Sequence, residues 1–200
     1  MAFLSKFSIL LLALAAPSHA LTLKGRIQVP EGYPELKNAV ISIHGFKTSR
    51  AKSLNPQKIT IDQKNFKYIP YISVAEVGAE VVFKNSDTSL HTVVTQDGPL
   101  GRKNFALQNL KSLQRITVKK PGVSEILCSV HAQMKAYLVV LDTPYHAISD
   151  EKGEFTIKDL PNASFEIHVW HEVFPPLQLK IQSNEEIKKP LTLVLKSWDS

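Results

Sequence analysis

Short runs in which apolar and polar residues alternate make up most of this sequence. In residues 21–29 every second side chain is apolar or a glycine, and residues 79–85, 154–157 and 165–170 repeat the pattern. A period of two places successive side chains on opposite faces of a strand, so one face of each run can be buried while the other meets water. Clusters of turn-forming residues separate the runs. The pattern predicts an all-β fold built from sandwiches.

Two stretches allow more local predictions. The apolar run 68–74 predicts one continuous strand. The extended runs 115–118 and 124–128 flank Pro121-Gly122. A Pro-Gly pair between two such runs predicts a β-hairpin.

The first twenty residues have the form of a secretory signal peptide, with Lys6 near the start, an apolar stretch over residues 7–16 and the cleavage pattern Ser18-His19-Ala20. The apolar stretch is shorter than the roughly 20 residues that a membrane-spanning helix needs. We expect a mature protein that starts near Leu21 and is exported to the periplasm. Without residues 1–20, which hold one lysine and no acid, the formal charge falls from +6 to +5. The basic residues are scattered, which argues against a nucleic-acid surface.

Four side chains carry donors that bind soft metal ions. Cys128, His131 and Met134 follow the spacing C-x2-H-x2-M, and apart from Met1 they include the only Cys and the only Met of the sequence. His91 follows a turn cluster that ends another predicted strand. One thiolate, two imidazoles and one thioether form the donor set of a blue-copper centre. Three donors can come from one loop, and a sandwich whose loops cluster at one end can bring His91 to them.

The same residues also fit more ordinary roles. Cys128 could be a core thiol, His131 a surface imidazole and Met134 a packed thioether. The single Cys has no partner for an internal disulfide. Zinc is the rival metal, although it has little use for a thioether. A c-type haem would need a C-x-x-C-H motif, which the sequence lacks.

Four further histidines are weaker candidates. His168 and His171 fall on opposite faces if residues 165–171 form one strand, so we do not expect them to share a metal. His44 and His146 flank the central part of the chain and could approach each other, but neither has a second His or a thiol at ligand spacing. We therefore predict no second metal site.

Residues 57–142 resemble a cupredoxin, a member of the small blue-copper protein family. The resemblance rests on Val82-Phe83-Lys84-Asn85-Ser86-Asp87 leading to His91, and then on Cys128, His131 and Met134. The short C-x2-H-x2-M loop is similar to that of the amicyanin type. The resemblance implies a Greek-key sandwich in which these four residues bind one copper ion, as Cu(I) or Cu(II).

The same resemblance implies that His131 is the exposed edge of the site, where a redox partner protein docks beside residues such as Ala132. The sequence departs from the family at one position. The residue after the first His is commonly an Asn that ties the two ligand segments together, and here it is Thr92.

A second resemblance covers both ends of the chain. The segments Gly25-Arg26-Ile27, 39–43 and 149–157 resemble a carboxypeptidase regulatory-like domain, which is a small transthyretin-like β-sandwich. This implies a discontinuous outer domain of residues 21–50 and 143–197, with the cupredoxin domain 57–142 inserted. Residues 46–56 lose the strand periodicity, as a crossing between units would. In bacteria the combination resembles exported proteins labelled for methylamine utilisation.

These observations favour an exported mononuclear blue-copper protein that acts as a one-electron carrier. All four ligands would be protein side chains, which leaves no open position for a substrate. No G-x-S-x-G, H-E-x-x-H or phosphate-binding glycine loop is present in the sequence, so an enzyme is not expected. Two alternatives remain: a periplasmic copper-binding or delivery protein, and an envelope protein-binding module in which copper has a secondary role.

Overall fold

The computed structural model describes residues 21–33, 37–46, 56–108 and 112–199. The predicted signal peptide and most of the predicted crossing 46–56 lie outside the described residues. The described residues are mainly strands, and the prediction of an all-β fold is confirmed.

The described residues form sixteen strands and one short 3₁₀ helix, Asn184–Ile187. The strands are β1 (Leu21–Gln28), β2 (Val40–His44), β3 (Lys58–Lys64), β4 (Lys67–Ile69), β5 (Ile72–Glu76), β6 (Glu80–Asn85), β7 (His91–Thr95), β8 (Lys103–Leu107), β9 (Leu113–Thr117), β10 (Gly122–Leu127), β11 (Lys135–Leu141), β12 (His146–Ile148), β13 (Glu154–Leu160), β14 (Phe165–Trp170), β15 (Leu177–Ile181) and β16 (Leu191–Val194). A search of the described residues for a helix with the length and apolar character needed to cross a bilayer finds none.

We call the central part of the chain the inner sandwich. It consists of two sheets with the strand orders β4-β3-β6-β9 and β5-β11-β10-β7-β8. Side chains from both sheets fill the space between them, among them Ile61, Phe83, Ile126 and Leu138. Neighbouring strands are often not consecutive in the chain, so the chain crosses repeatedly from one sheet to the other.

The outer sandwich combines strands from both ends of the described chain. Its sheets have the strand orders β13-β1-β16 and β12-β2-β14-β15. Leu23, Ile41 and Ile167 are among the buried residues of its core. Gly25 lets the Phe155 ring pack against β1, because a Cβ at this position would lie 2.5 Å from a ring carbon of Phe155.

The two sandwiches pack against each other through a third apolar cluster. It joins Val40 of β2 to Ile72, Val139 and Leu141 of the inner sandwich. Strand β2 and the second half of β11 are therefore buried on both faces. Burial on both faces explains why these two strands have nearly unbroken apolar sequences instead of an alternation.

Two local predictions are wrong. Residues 68–74 do not form one strand, because β4 and β5 divide them and belong to different sheets. Pro70 lies between the two strands and has no N–H to donate to a sheet ladder. Residues 119–122 do not close a hairpin, because β9 pairs with β6 whereas β10 pairs with β11 and β7. The chain turns at this point into the facing sheet.

The domain boundaries stay a prediction, which truncation can test. A fragment of residues 143–200 lacks β1 and β2. Each is an inner strand of one sheet of the outer sandwich, and their loss also removes the buried Leu23, Ile27, Ile41 and Ile43. Burying each such side chain contributes about 1.5–3 kcal/mol, so the loss of all four approaches the whole stability of a small domain. We expect no cooperative thermal transition for this fragment by circular dichroism.

The fragment 57–142 serves as the control, because it holds both sheets of the inner sandwich. It should melt cooperatively. A soluble 143–200 fragment with a cooperative melt would contradict the discontinuous outer domain.

Candidate metal centre

Three strands of the five-stranded sheet of the inner sandwich begin or end at the same end of this sheet. Strand β7 begins at His91, β10 ends one residue before Cys128, and β11 begins one residue after Met134. Strand β10 pairs with β7 and with β11, antiparallel in both cases. The start of β7, the end of β10 and the start of β11 therefore lie side by side at the same end of the sheet.

The loop 128–134 is held in a compact conformation by backbone hydrogen bonds. The N–H of Cys128 donates to the carbonyl oxygen of Met134 at 3.3 Å, and the N–H of Met134 donates to the carbonyl oxygen of His131 at 3.0 Å. These bonds close the link between β10 and β11, so Cys128 and His131 are held close together.

The structure brings His91, Cys128 and His131 together. One donor atom from each side chain lies within 4.8 Å of the other two. The Nδ1 atoms of His91 and His131 are 3.0 Å apart. Two nitrogens that both ligate one ion at about 2.0–2.1 Å lie roughly 3 Å apart, so this spacing suits a shared metal. His91 and Cys128 are buried, whereas His131 is partly exposed.

Met134 is buried in the same apolar core cluster as Cys128. It precedes Ala136, Leu138 and Val140, which also point into this core. Alternation along the chain therefore places the Met134 side chain on the same face as these three residues. Its role as the fourth donor stays a prediction.

The surroundings of the Cys128 sulfur favour the thiolate. The backbone N–H of Thr92 lies 3.5 Å from Sγ and the Thr92 hydroxyl 3.6 Å from it. Burial opposes ionisation, but the two Thr92 donors and the N–H groups of Val130 and His131 outweigh it and lower the pKa of the thiol from 9.0 to about 6. Cys128 is therefore largely ionised at neutral pH, in the form that binds metals.

Asp87 orients the His91 ring. The Nε2 atom of His91 lies 2.8 Å from Oδ2 of Asp87. When Nε2–H donates to this carboxylate, Nδ1 is the unprotonated nitrogen, and it faces His131 as a metal ligand would. Burial opposes ionisation of Asp87, but hydrogen bonds from the N–H groups of Phe66 and Asn65 and from His91 outweigh it and lower the pKa of the carboxyl.

The same carboxylate holds the turn between β3 and β4. It accepts the N–H of Asn65 at 2.7 Å and the N–H of Phe66 at 3.0 Å. Both turn residues have a positive φ, 54° and 56°, which non-glycine residues rarely adopt. The Phe66 ring contacts the rings of His91 and His131, with centroid distances of 5.6 Å and 5.0 Å. Asp87 thus positions both a candidate ligand and the aromatic ring beside it.

Thr92 connects the two segments that carry the donors. Its Oγ1 accepts the N–H of Ser129 at 2.8 Å and lies 3.0 Å from the Ser129 hydroxyl. Because Thr92 follows His91 and Ser129 follows Cys128, these contacts join both sides of the site. A threonine hydroxyl therefore connects the two segments.

The other histidines lie elsewhere. His44 stacks on His168, with 4.2 Å between the ring centroids, and His146 pairs with Ser42 across two strands. His171 follows β14 and lines a cleft between the sandwiches. Within the described ranges, no group of three His, Cys, Asp or Glu side chains converges as the candidate metal centre does.

Sequence reasoning does not identify Asp87 or Phe66 as part of the site. Asp87 gives a weak signal, because it lies in a turn cluster four residues before His91. Phe66 gives none, since it belongs to another turn. It reaches the site because β3 pairs with β6, the strand that leads to Asp87.

No protein-family model matches the sequence, and no curated protein matches it either. Among solved structures, amicyanin from Paracoccus versutus is 18% identical, with a TM-score of 0.38 over 44% of this chain and 86% of that one. A purple cupredoxin from Nitrosopumilus maritimus is 20% identical, with a TM-score of 0.36 over 42% and 99%. A copper-containing nitrite reductase from Thermus scotoductus is 28% identical, with a TM-score of 0.39 over 47% of this chain and 24% of its own. Each likeness covers less than half of the chain, and the case for the site rests on its own geometry.

The thiol of metal-free protein should titrate with a pKa near 6, as measured by the ultraviolet absorbance of the thiolate against a Cys128→Ser blank. Thr92→Val removes one donor to Sγ and should move the pKa back towards 9.0. Because the folded-state pKa lies below the unfolded one, ionisation stabilises the fold fully above about pH 9, and this contribution is lost as the pH falls through about 6. An unchanged pKa in Thr92→Val would exclude the hydroxyl as a cause.

Asp87→Asn should destabilise the metal-free protein by about 1.5–3 kcal/mol in urea unfolding, because hydrogen bonds to a charged group are lost. The difference from wild type should disappear in acid, since a carboxyl with a lowered pKa stabilises the fold only above that pKa. Copper affinity, measured against a chelator, should fall about 10- to 100-fold. The exposed Asp199→Asn is the matched control. Unaltered affinity in Asp87→Asn would show that His91 does not depend on this carboxylate.

Proposed function

We propose that this chain is an exported mononuclear blue-copper protein of the cupredoxin type that acts as a one-electron carrier. His91, Cys128 and His131 would be the strong ligands and Met134 the weak axial one. The observation that carries the proposal is the convergence of His91, from one strand, with Cys128 and His131, from a loop between two others, to within 4.8 Å.

The chemistry of the donors suits copper. Cys128 is poised as a thiolate, and a His91 ring that donates its Nε2–H to Asp87 would face the site with an unprotonated Nδ1. Thiolate and thioether favour Cu(I) while imidazole also suits Cu(II), so bound copper would supply a one-electron couple. With all four donors provided by the protein, no position is left for a substrate, which favours a carrier over an enzyme.

The hydrogen bonds around the donors favour a carrier over a delivery protein. Asp87 holds His91, and Thr92 links the segment after Cys128 to the segment after His91. A site held in one geometry rearranges little between two charge states, which suits electron transfer. A protein that releases its ion to a recipient would need ligands that separate easily.

Exposed apolar residues next to the donors support docking of a redox partner protein on the surface around His131. Leu90 and Val130 directly precede His91 and His131, and Phe66 contacts both imidazoles. All three are more than 40% exposed. A partner that covers this patch would come within a short distance of the partly exposed His131.

We also propose that the outer sandwich is a carboxypeptidase regulatory-like domain that holds the inner one as an insertion, and that the protein acts in the periplasm. Pairing of β1 with β13 and of β2 with β14 supports the first idea. The signal-peptide pattern of residues 1–20 supports the second.

Copper loading of the mature protein tests the function. We expect an intense visible absorption and an electron paramagnetic resonance spectrum with a narrow copper hyperfine splitting, because strong thiolate bonding spreads the unpaired electron onto sulfur. Both signatures should be lost in Cys128→Ser. Voltammetry should show a reversible one-electron wave. Tight copper binding without such a wave would favour copper delivery instead, and spectra unchanged in Cys128→Ser would refute the ligand set.

A further inference from the structure

A cleft with a volume of about 430 Å³ lies between the two sandwiches, and none of the candidate metal ligands lines it. Its volume falls within the range of small-molecule sites. The inner sandwich contributes side chains from β7, β10 and β11, and the outer sandwich contributes the end of β14 and the segment after it. Both tryptophans of the chain, Trp170 and Trp198, line this cleft.

The aromatic side chains form walls at an angle to one another. The rings of Tyr137 and Trp170 have centroids 5.2 Å apart and an interplanar angle of 61°. Trp198 is 70% exposed, yet its indole N–H donates to the carbonyl oxygen of Val173 at 2.8 Å. This hydrogen bond fixes an exposed aromatic ring at the cleft. The Nζ atom of Lys135 lies 5.2 Å from the centroid of the Tyr137 ring, so the exposed aromatic ring of the cleft is that of Trp198.

The charged groups of the cleft are acidic. Asp97, Glu125 and Glu172 line it, and the described lining residues include no lysine or arginine. Glu172 is already engaged, since it accepts the Tyr71 hydroxyl at 2.6 Å and pairs with Lys135 at 3.1 Å. No cationic partner is found for Asp97 or Glu125 among the described residues, and Glu125 accepts only the Tyr137 hydroxyl, at 3.2 Å.

His171 is the one histidine in the lining, and both of its ring nitrogens have partners within the chain. The Nε2 atom of His171 lies 3.2 Å from the carbonyl oxygen of Lys37, and its Nδ1 accepts the N–H of Val173 at 3.1 Å. One nitrogen donates and the other accepts, which is the pattern of a neutral imidazole. In a chain with a formal charge of +6, the cleft is therefore a local negative region.

We propose that this cleft binds a small organic cation, an ammonium group with apolar substituents. Aromatic faces attract cations through their quadrupole, most strongly in Trp, and nearby carboxylates add a direct Coulomb attraction. The apolar substituents of such a ligand would cover the exposed Trp198 ring. Glu125 and Asp97 supply the charge, because Lys135 already neutralises Glu172. The proposal does not depend on the metal centre.

Calorimetric titration of the full-length mature protein, with and without copper, tests this proposal. The probe is choline chloride, and 3,3-dimethylbutan-1-ol is the neutral molecule of nearly the same shape. Choline should bind saturably and change the tryptophan fluorescence of metal-free protein, because both tryptophans lie in the cleft. The neutral alcohol should bind at least about tenfold more weakly.

Two variants locate the site. Trp198→Ala and Glu125→Gln should each weaken choline binding by about 3- to 30-fold. Trp198 and Glu125 are exposed, so both variants should keep the wild-type circular dichroism spectrum. Glu151→Gln, an exposed position outside the cleft, is the control and should bind as wild type does. Equal binding of choline and the alcohol, absence of saturable choline binding, or full affinity in both variants would each overturn the proposal.

Discussion

The pairing of β10 with both β7 and β11 is the constraint on which the candidate metal centre depends. It places Cys128 and the loop that it begins, which also carries His131, beside His91. Side chains alternate along a strand, so a shift of one residue in this register would turn the Cys128 sulfur to the other face of the sheet. Burial of Val93, Ile126 and Ala136 in the inner core opposes such a shift. The same register therefore sets both the apolar core and the donor geometry.

Two polar side chains that are not candidate ligands hold the donors in place. Asp87 joins the His91 ring to the turn that carries Phe66, and Thr92 joins the segment after His91 to Ser129 and to the Cys128 sulfur. The bonds to His91, Ser129 and Cys128 are buried or partly buried, and such bonds are costly to break because each leaves an unpaired polar group. These hydrogen bonds hold the donors close together, which is the property that a site with little rearrangement between charge states requires.

The outer sandwich contacts β11, the strand that follows the loop 128–134. Lys135 comes directly after Met134 and pairs with Glu172 of the outer sandwich, which also accepts the Tyr71 hydroxyl. Two residues further on, the Tyr137 ring packs against Trp170. Through these contacts the outer sandwich helps to fix the start of β11. Residues of both sandwiches line the cleft, and so it exists only in the assembled chain.

The sequence by itself determined the strand content and identified Cys128, His131 and Met134 as candidate donors, because alternation and the C-x2-H-x2-M spacing are local properties of the chain. It did not determine which sheet a strand joins. The turn at Pro121-Gly122 and the break at Pro70 are visible in the sequence, but their partners are chosen by long-range pairing and core packing. Only the tertiary structure decided that Phe66 meets His91, and that Trp170 and Trp198 share one cleft. Such contacts join distant parts of the chain, and no local pattern encodes them.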